Sequence, residues 1–167
     1  MSRAGVDDAP GPAGSAQSVQ DALQQTLDEA RMVLPGVQAL FGFQLIAVFS
    51  DGFERRLDET EQSLHLAAIV LVTVAIAIVM TPAAYHRQVE PRRATVSFLV
   101  LASRLVSGAM LPLAAGLSID VYLIARVITG GSSLSAAIGG VVFVLFLALW
   151  FAFPQWRAAQ VRRQGRR

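Results

Sequence analysis

The amino-acid sequence predicts an all-α polytopic membrane protein with four transmembrane helices, both termini in the cytoplasm and a short cytoplasmic amphipathic helix before the first span. Three observations carry that reading. Hydrophobic residues make up 54% of the 167 positions and charged residues only 16%, with a mean hydropathy of +0.52, a balance foreign to soluble domains of this length. The apolar residues gather into four runs that approach the roughly 20 residues needed to cross ~30 Å of hydrocarbon. Charges sit in short blocks beside those runs, and arginine dominates alternate blocks.

Residues 1–17, rich in Ala, Gly, Pro and Asp, read as a disordered tail. The first thirty residues hold no apolar core between a basic start and a small-residue cleavage site, so no signal peptide is expected. Ser18 to Arg31 reads as a helix: Ser18 and Asp21 form a capping-box pattern, and Val19, Leu23, Leu27 and Ala30 recur at helical spacing. Its polar face carries Asp21, Asp28 and Glu29, a poor match for anionic lipid, so it reads as a cytoplasmic extension of the first membrane helix that packs on a partner. The spans are expected at about 32–50, 64–85, 96–128 and 134–153 within a transmembrane domain covering 18–157. Gly52, Pro91 and the Gly130-Gly131 pair punctuate the gaps. The third span exceeds the bilayer and should tilt, kink or project. Residues 158–167 form a basic tail, read as a topology anchor touching anionic lipid.

Arginine sets the direction. Arg3 and Arg31 precede the first span, Arg87, Arg92 and Arg93 follow the second, and Arg157, Arg162, Arg163, Arg166 and Arg167 follow the fourth. The first loop has Arg55 and Arg56 diluted by Asp51, Glu54, Asp58, Glu59 and Glu61, and the third loop has only Arg126 at its edge. The positive-inside rule places the N-terminus, second loop and tail in the cytoplasm. Tyr85, Trp150 and Trp156 fall at the same boundary, where an aromatic belt belongs. Neither lysine nor asparagine occurs, which points to a GC-rich bacterial genome and hence a bacterial inner membrane.

Several function classes are excluded on composition. Without cysteine there are no disulfides, thiolate metal sites or cysteine nucleophiles. A pI near 9.9 raises nucleic acid as a partner, but the arginines lie where topology needs them and no nucleic acid is expected. His65 and His86 mark opposite ends of the second span and cannot share a metal. No nucleophile triad, phosphate loop or carboxylate pair is present, so neither enzyme activity nor a cofactor is expected.

Ionisable residues inside a span are functional candidates, because burying one costs at least ~2.5–3.5 kcal/mol on insertion scales. The third span holds Arg104 and Asp120, about 24 Å apart along a helix. Arg104 can snorkel to headgroups. Asp120, the one carboxylate in any expected span, can reach outer water, pair with His65, or face a cavity and bind a cation or proton. Arg104, Gly108, Pro112, Gly116 and Asp120 recur every four residues and wind about 40° per step. The small residues among them suit close helix approach. Pro112 frees the carbonyl of Gly108, which either kinks the helix or coordinates an ion. Gln38 and Gln44 flank Phe41 near the middle of the first span and need partners within the bundle. A faint echo between Met32–Pro35 and Met110–Pro112, and between Pro82–Arg87 and Pro154–Arg157, would make the halves a parallel repeat.

The segment Arg31-Met-Val-Leu-Pro-Gly-Val-Gln-Ala-Leu-Phe-Gly-Phe-Gln44, with Met80-Thr-Pro-Ala-Ala-Tyr-His86 and Ala102-Ser-Arg104, resembles a family of small four-helix membrane proteins of undefined function, frequent in actinobacteria. The resemblance covers about residues 20–157. Some members of that family carry a sodium:proton antiporter designation, so the resemblance implies exchange of a monovalent cation for protons. Established antiporters are larger and hold carboxylates near the midplane, so a chain this small would transport as a homo-oligomer. Two readings stay open. One is an oligomeric cation/proton exchanger with Asp120 binding, Gln38 and Gln44 lining the path, and Arg104 and His65 as further candidates. The other is a structural or accessory subunit of a larger membrane complex.

Overall fold

The computed structural model describes residues 12–89 and 95–164. Pro91, Arg92 and Arg93 of the second loop, together with Arg3, Arg166 and Arg167, lie outside the described residues. The described chain is helical: α1 (Pro12–Val48), α2 (Asp51–Arg56), α3 (Glu59–Val89), α4 (Val96–Thr129), α5 (Ser132–Leu147), a π-helical turn (Ala148–Ala152) and α6 (Phe153–Gln164). Three continuous helical stretches are long and apolar enough to cross a membrane: Glu59–Val89, Val96–Thr129 and Ser132–Gln164. The chain is thus a helical membrane protein.

The first expected span differs. Only Leu34–Val48 of α1 is a sustained apolar segment, about 22 Å at 1.5 Å per residue and short of the hydrocarbon thickness. Its N-terminal side is limited by the polar run ending at Arg31. The segment expected to extend the first span is continuous with it, as one helix over Pro12–Val48. Within the described residues α1 already runs from Pro12. Ser18 therefore lies inside the helix and does not open it.

α4 is the central element. It packs most extensively on α3, next on α5, and it shares α1 with α3. The α3–α4 seam is built from small side chains: Ala68, Val72 and Ala75 face Ala102, Ala109 and Ala114, all nearly or wholly buried. Between apolar helices in lipid, close packing rather than water exclusion supplies the attraction, so small residues belong there. A Cβ on Gly116 would meet Val72 Cγ2 at 3.0 Å and the Ala68 carbonyl at 3.2 Å. Gly139 brings α5 equally near α4, where a Cβ would meet Tyr122 Cβ at 2.9 Å and the Ser118 carbonyl at 3.1 Å. Gly108, expected to serve close approach, faces open space. Large apolar side chains cover the outer surface, among them Phe43 (71% exposed), Val141 (67%) and Ile128 (77%).

The turn from α4 to α5 is closed locally. Gly130 takes φ 69°, the left-handed conformation that ends a helix without Cβ strain. Ser135 Oγ donates to the Gly131 carbonyl at 2.7 Å and lies 3.1 Å from Thr129 Oγ1. Hydroxyls deeper in the helices bond their own backbone four residues back, as Ser118 does to Ala114 and Thr73 to Ile69, so they need no partner across the bundle.

Gly139→Val is expected to lower stability by about 2 kcal/mol, the scale of an overpacked interface. Gly140→Val, whose Cβ meets open space, should have a far smaller effect. Equilibrium unfolding in mixed micelles, followed by tryptophan fluorescence, checks both.

Candidate functional site

The polar residues converge at the end of the bundle where α1 finishes, α2 crosses, α3 begins and α4 ends. α3 and α4 are antiparallel neighbours, which sets Glu61 level with Arg126 and, one turn deeper, His65 level with Asp120. α1 brings Gln44 to the same depth.

Gln44 is only 4% exposed and bonds both other helices. Its Nε2 donates to Asp120 Oδ2 at 2.6 Å, and its backbone carbonyl lies 3.0 Å from His65 Nε2. Its Oε1 is buried with no partner. A carbonyl can only accept, so His65 Nε2 carries the hydrogen in that contact. Nδ1 then faces Asp120 Oδ1 at 3.6 Å. With a proton on either group the contact is attractive, as a charge pair or between neutral partners. With none, a nitrogen lone pair faces a carboxylate. Phe53 of α2 roofs His65 edge-on, with ring centroids 5.3 Å apart.

Two spaces meet at this roof. A cavity of about 320 Å³ reaches Gln44, His65 and Asp120 and is otherwise walled by apolar side chains of α1, α2 and α4, including Phe43, Phe53 and Ile124. A shallower groove of about 410 Å³, bordered by Glu59, Gln62 and Ser63, reaches the other side of His65 and Phe53. His65 thus stands between an apolar chamber and a surface groove that Glu59, Gln62 and Ser63 make partly polar beside Val48, Leu66 and Ile69.

One turn above, Arg126 Nε donates to Glu61 Oε1 at 2.8 Å. Glu61 Oε2 accepts the Asp58 backbone N–H at 3.1 Å, while Asp58 Oδ1 accepts the Glu61 backbone N–H at 2.8 Å. This reciprocal cap opens α3 and holds the Glu61 carboxylate toward Arg126. Arg126 Nη1 also donates to the Gly130 carbonyl at 2.7 Å, joining the cap of α3 to the end of α4.

The structure gathers three of the sequence candidates, Gln44, His65 and Asp120, and leaves two apart. Gln38 is on the exposed side of α1. Six residues from Gln44 is about 120° around a helix, so the two glutamines do not line one path. Arg104 is also exposed, about 24 Å along α4 from Asp120 and on its far side. Gly108, whose carbonyl Pro112 frees, lies about 18 Å from Asp120 along the same helix and contributes nothing to the cluster. Among the described residues no group of three or more His, Cys, Asp or Glu could hold a metal ion. Glu61, Arg126 and Phe53 complete the site without having been singled out in the sequence. The Asp58-x-x-Glu61 cap ahead of an apolar run was the signal available for Glu61.

Arg126→Met should leave the Glu61 carboxylate, 7% exposed, without its cation and cost about 2 kcal/mol or more. Adding Glu61→Leu should recover most of that loss, because the stranded charge goes with it. Unfolding midpoints of the single and double variants decide it.

No curated protein and no solved structure matches the chain significantly. A family model does match over residues 15–154, spanning every helix of the cluster. The chain belongs to DUF6328, a family of unknown function.

Proposed function

We propose that this protein is a four-span bacterial inner-membrane carrier, with both termini cytoplasmic, that exchanges a monovalent cation for a proton at Asp120. The observation that supports this best is the buried contact of Asp120 with His65, 3.6 Å apart, beside the unpartnered Gln44 Oε1. A membrane protein has little structural reason to keep a carboxylate, an imidazole and an idle acceptor together below its apolar surface.

The exchange is one charge for one charge. A cation reaching Asp120 takes a carboxylate oxygen and Gln44 Oε1. The proton held between Asp120 and His65 leaves by way of the imidazole, which borders the polar groove. A second cavity of about 390 Å³, lined by Leu34, Val37, Val106 and Met110 among others, continues the α1–α4 seam toward the opposite end and supports a path through the protein.

Topology follows from charge and length. Arg31, Arg87, Arg157, Arg162 and Arg163 lie toward the end opposite α2, and positive-inside orientation makes that end cytoplasmic. α1 serves as the first of four spans, with local bilayer thinning accommodating its short apolar segment. The carrier works as a homo-oligomer: Gln38 is exposed within that segment, where hydrocarbon offers an amide nothing and a second copy offers a partner.

In proteoliposomes with an internal pH dye, gradients of sodium, potassium and small organic ammonium ions are imposed in turn. At least one should drive a pH change that Asp120→Asn abolishes and Gln44→Leu reduces about tenfold or more, the scale of one lost charge-assisted hydrogen bond. Folded protein that moves no protons under any gradient would sink the carrier reading in favour of an accessory membrane subunit.

A further inference from the structure

The site's shape narrows the cation. A bare alkali ion needs a ring of oxygens to replace its water. Here Asp120 supplies two, one of them already accepting from Gln44 Nε2, and Gln44 Oε1 supplies a third. The rest of the 320 Å³ chamber is lined by hydrocarbon and aromatic carbon. That is a poor cage for a naked ion and the usual form of a pocket for an organic molecule with one polar head.

The chamber also opens to the wrong solvent for an inorganic ion. Its rim residues Phe43, Ile124 and Ile128 are 71%, 60% and 77% exposed on the flank between α1 and α4, which faces the bilayer in the carrier reading. An occupant arriving there partitions into lipid first. Asp120 selects for positive charge, the free Gln44 oxygen selects for an N–H donor, and Phe43 and Phe53 offer aromatic faces that attract cations.

We infer that the cation taken at Asp120 is a lipophilic organic ammonium that enters between α1 and α4 and seats its apolar body in the chamber beneath Phe53. This rests on the reading of Asp120 as a cation site and specifies what that site takes.

Calorimetric titration of the protein in nanodiscs tests it, using 4-phenylbutylamine, its neutral counterpart 4-phenylbutanol, and sodium chloride. The amine should bind saturably and about tenfold or more tightly than the alcohol, the margin of one charge-assisted contact. Asp120→Asn should remove that margin. Ile124→Trp, which fills the chamber from its lipid-facing rim and leaves the polar groups intact, should weaken the amine similarly and guards against misfolding of the Asp120 variant. Equal binding of amine and alcohol, or amine binding indifferent to both substitutions, would overturn the inference and mark the chamber as a lipid site. Sodium-driven proton flux lost in Asp120→Asn, with no amine binding, would overturn it while leaving the exchanger intact. Amine binding at Asp120 without any flux would uphold the ligand and overturn the exchange.

Discussion

In hydrocarbon a polar group finds its partner inside the protein or goes without, and here Gln44 is where that constraint bears hardest. One buried amide holds α1 to both of its neighbours: the side chain bonds Asp120 on α4 and the backbone carbonyl meets His65 on α3. α1 packs less extensively on the bundle than α3, α4 and α5 pack on one another. These two bonds therefore set its height and rotation more than apolar packing does, since lipid competes equally for its hydrophobic face.

The rest of the α2 end serves the same geometry by other means. The α3–α4 seam can be tight because alanines and Gly116 line it. That closeness brings His65 and Asp120 within ion-pair distance, and Glu61 and Arg126 to 2.8 Å. The upper pair closes the end of the bundle, with the second Glu61 oxygen taken by the Asp58 cap, Arg126 Nη1 donating to the Gly130 carbonyl, and neither residue holding a buried polar atom without a partner. The lower pair keeps capacity unused. Satisfied above and incompletely satisfied below, two polar layers one helical turn apart behave differently: the first is structural, and the second retains valence for something else.

The membrane class was legible because hydrophobic length is a local signal, and so was the break between α4 and α5 at Gly130-Gly131. Asp120, Gln44 and His65 stood out singly as polar groups in apolar surroundings. What joined them was not local. Gln44 and Asp120 are 76 residues apart in sequence, and their meeting depends on the depth at which α1 lies along α4. Helical phase alone separates Gln38 from Gln44 by about 120° and Arg104 from Asp120 by about 160°. Glu61 was hidden by being counted as one acid among several, although its cap with Asp58 is written at the start of α3. The continuity of α1 was legible as a polar extension of the first span, since the helical spacing runs through Arg31 without a break although hydropathy falls before Leu34.

Gln44 Nε2 also sets what the site can do. In the carrier reading, a ligand that competes for Asp120 Oδ2 weakens that amide contact, one of the two bonds that dock α1. Ligand binding and the seating of α1 are then linked, and the linkage is reciprocal: whatever loosens α1 opens Asp120, and whatever occupies Asp120 loosens α1. Gln44 Oε1 softens the exchange, since the same side chain can turn from donating to the carboxylate to accepting from the ligand without leaving the site. α1 is suited to the part. It borders both the 320 Å³ and the 390 Å³ cavities, and it ends where α2 and Phe53 roof His65. The small-residue seam of α3 and α4 has no such freedom, since any separation there forfeits close contacts along its length. The carrier reading therefore assigns movement to α1, held by hydrogen bonds that a ligand can replace, and the fixed frame to the α3–α4 seam, held by packing that it cannot.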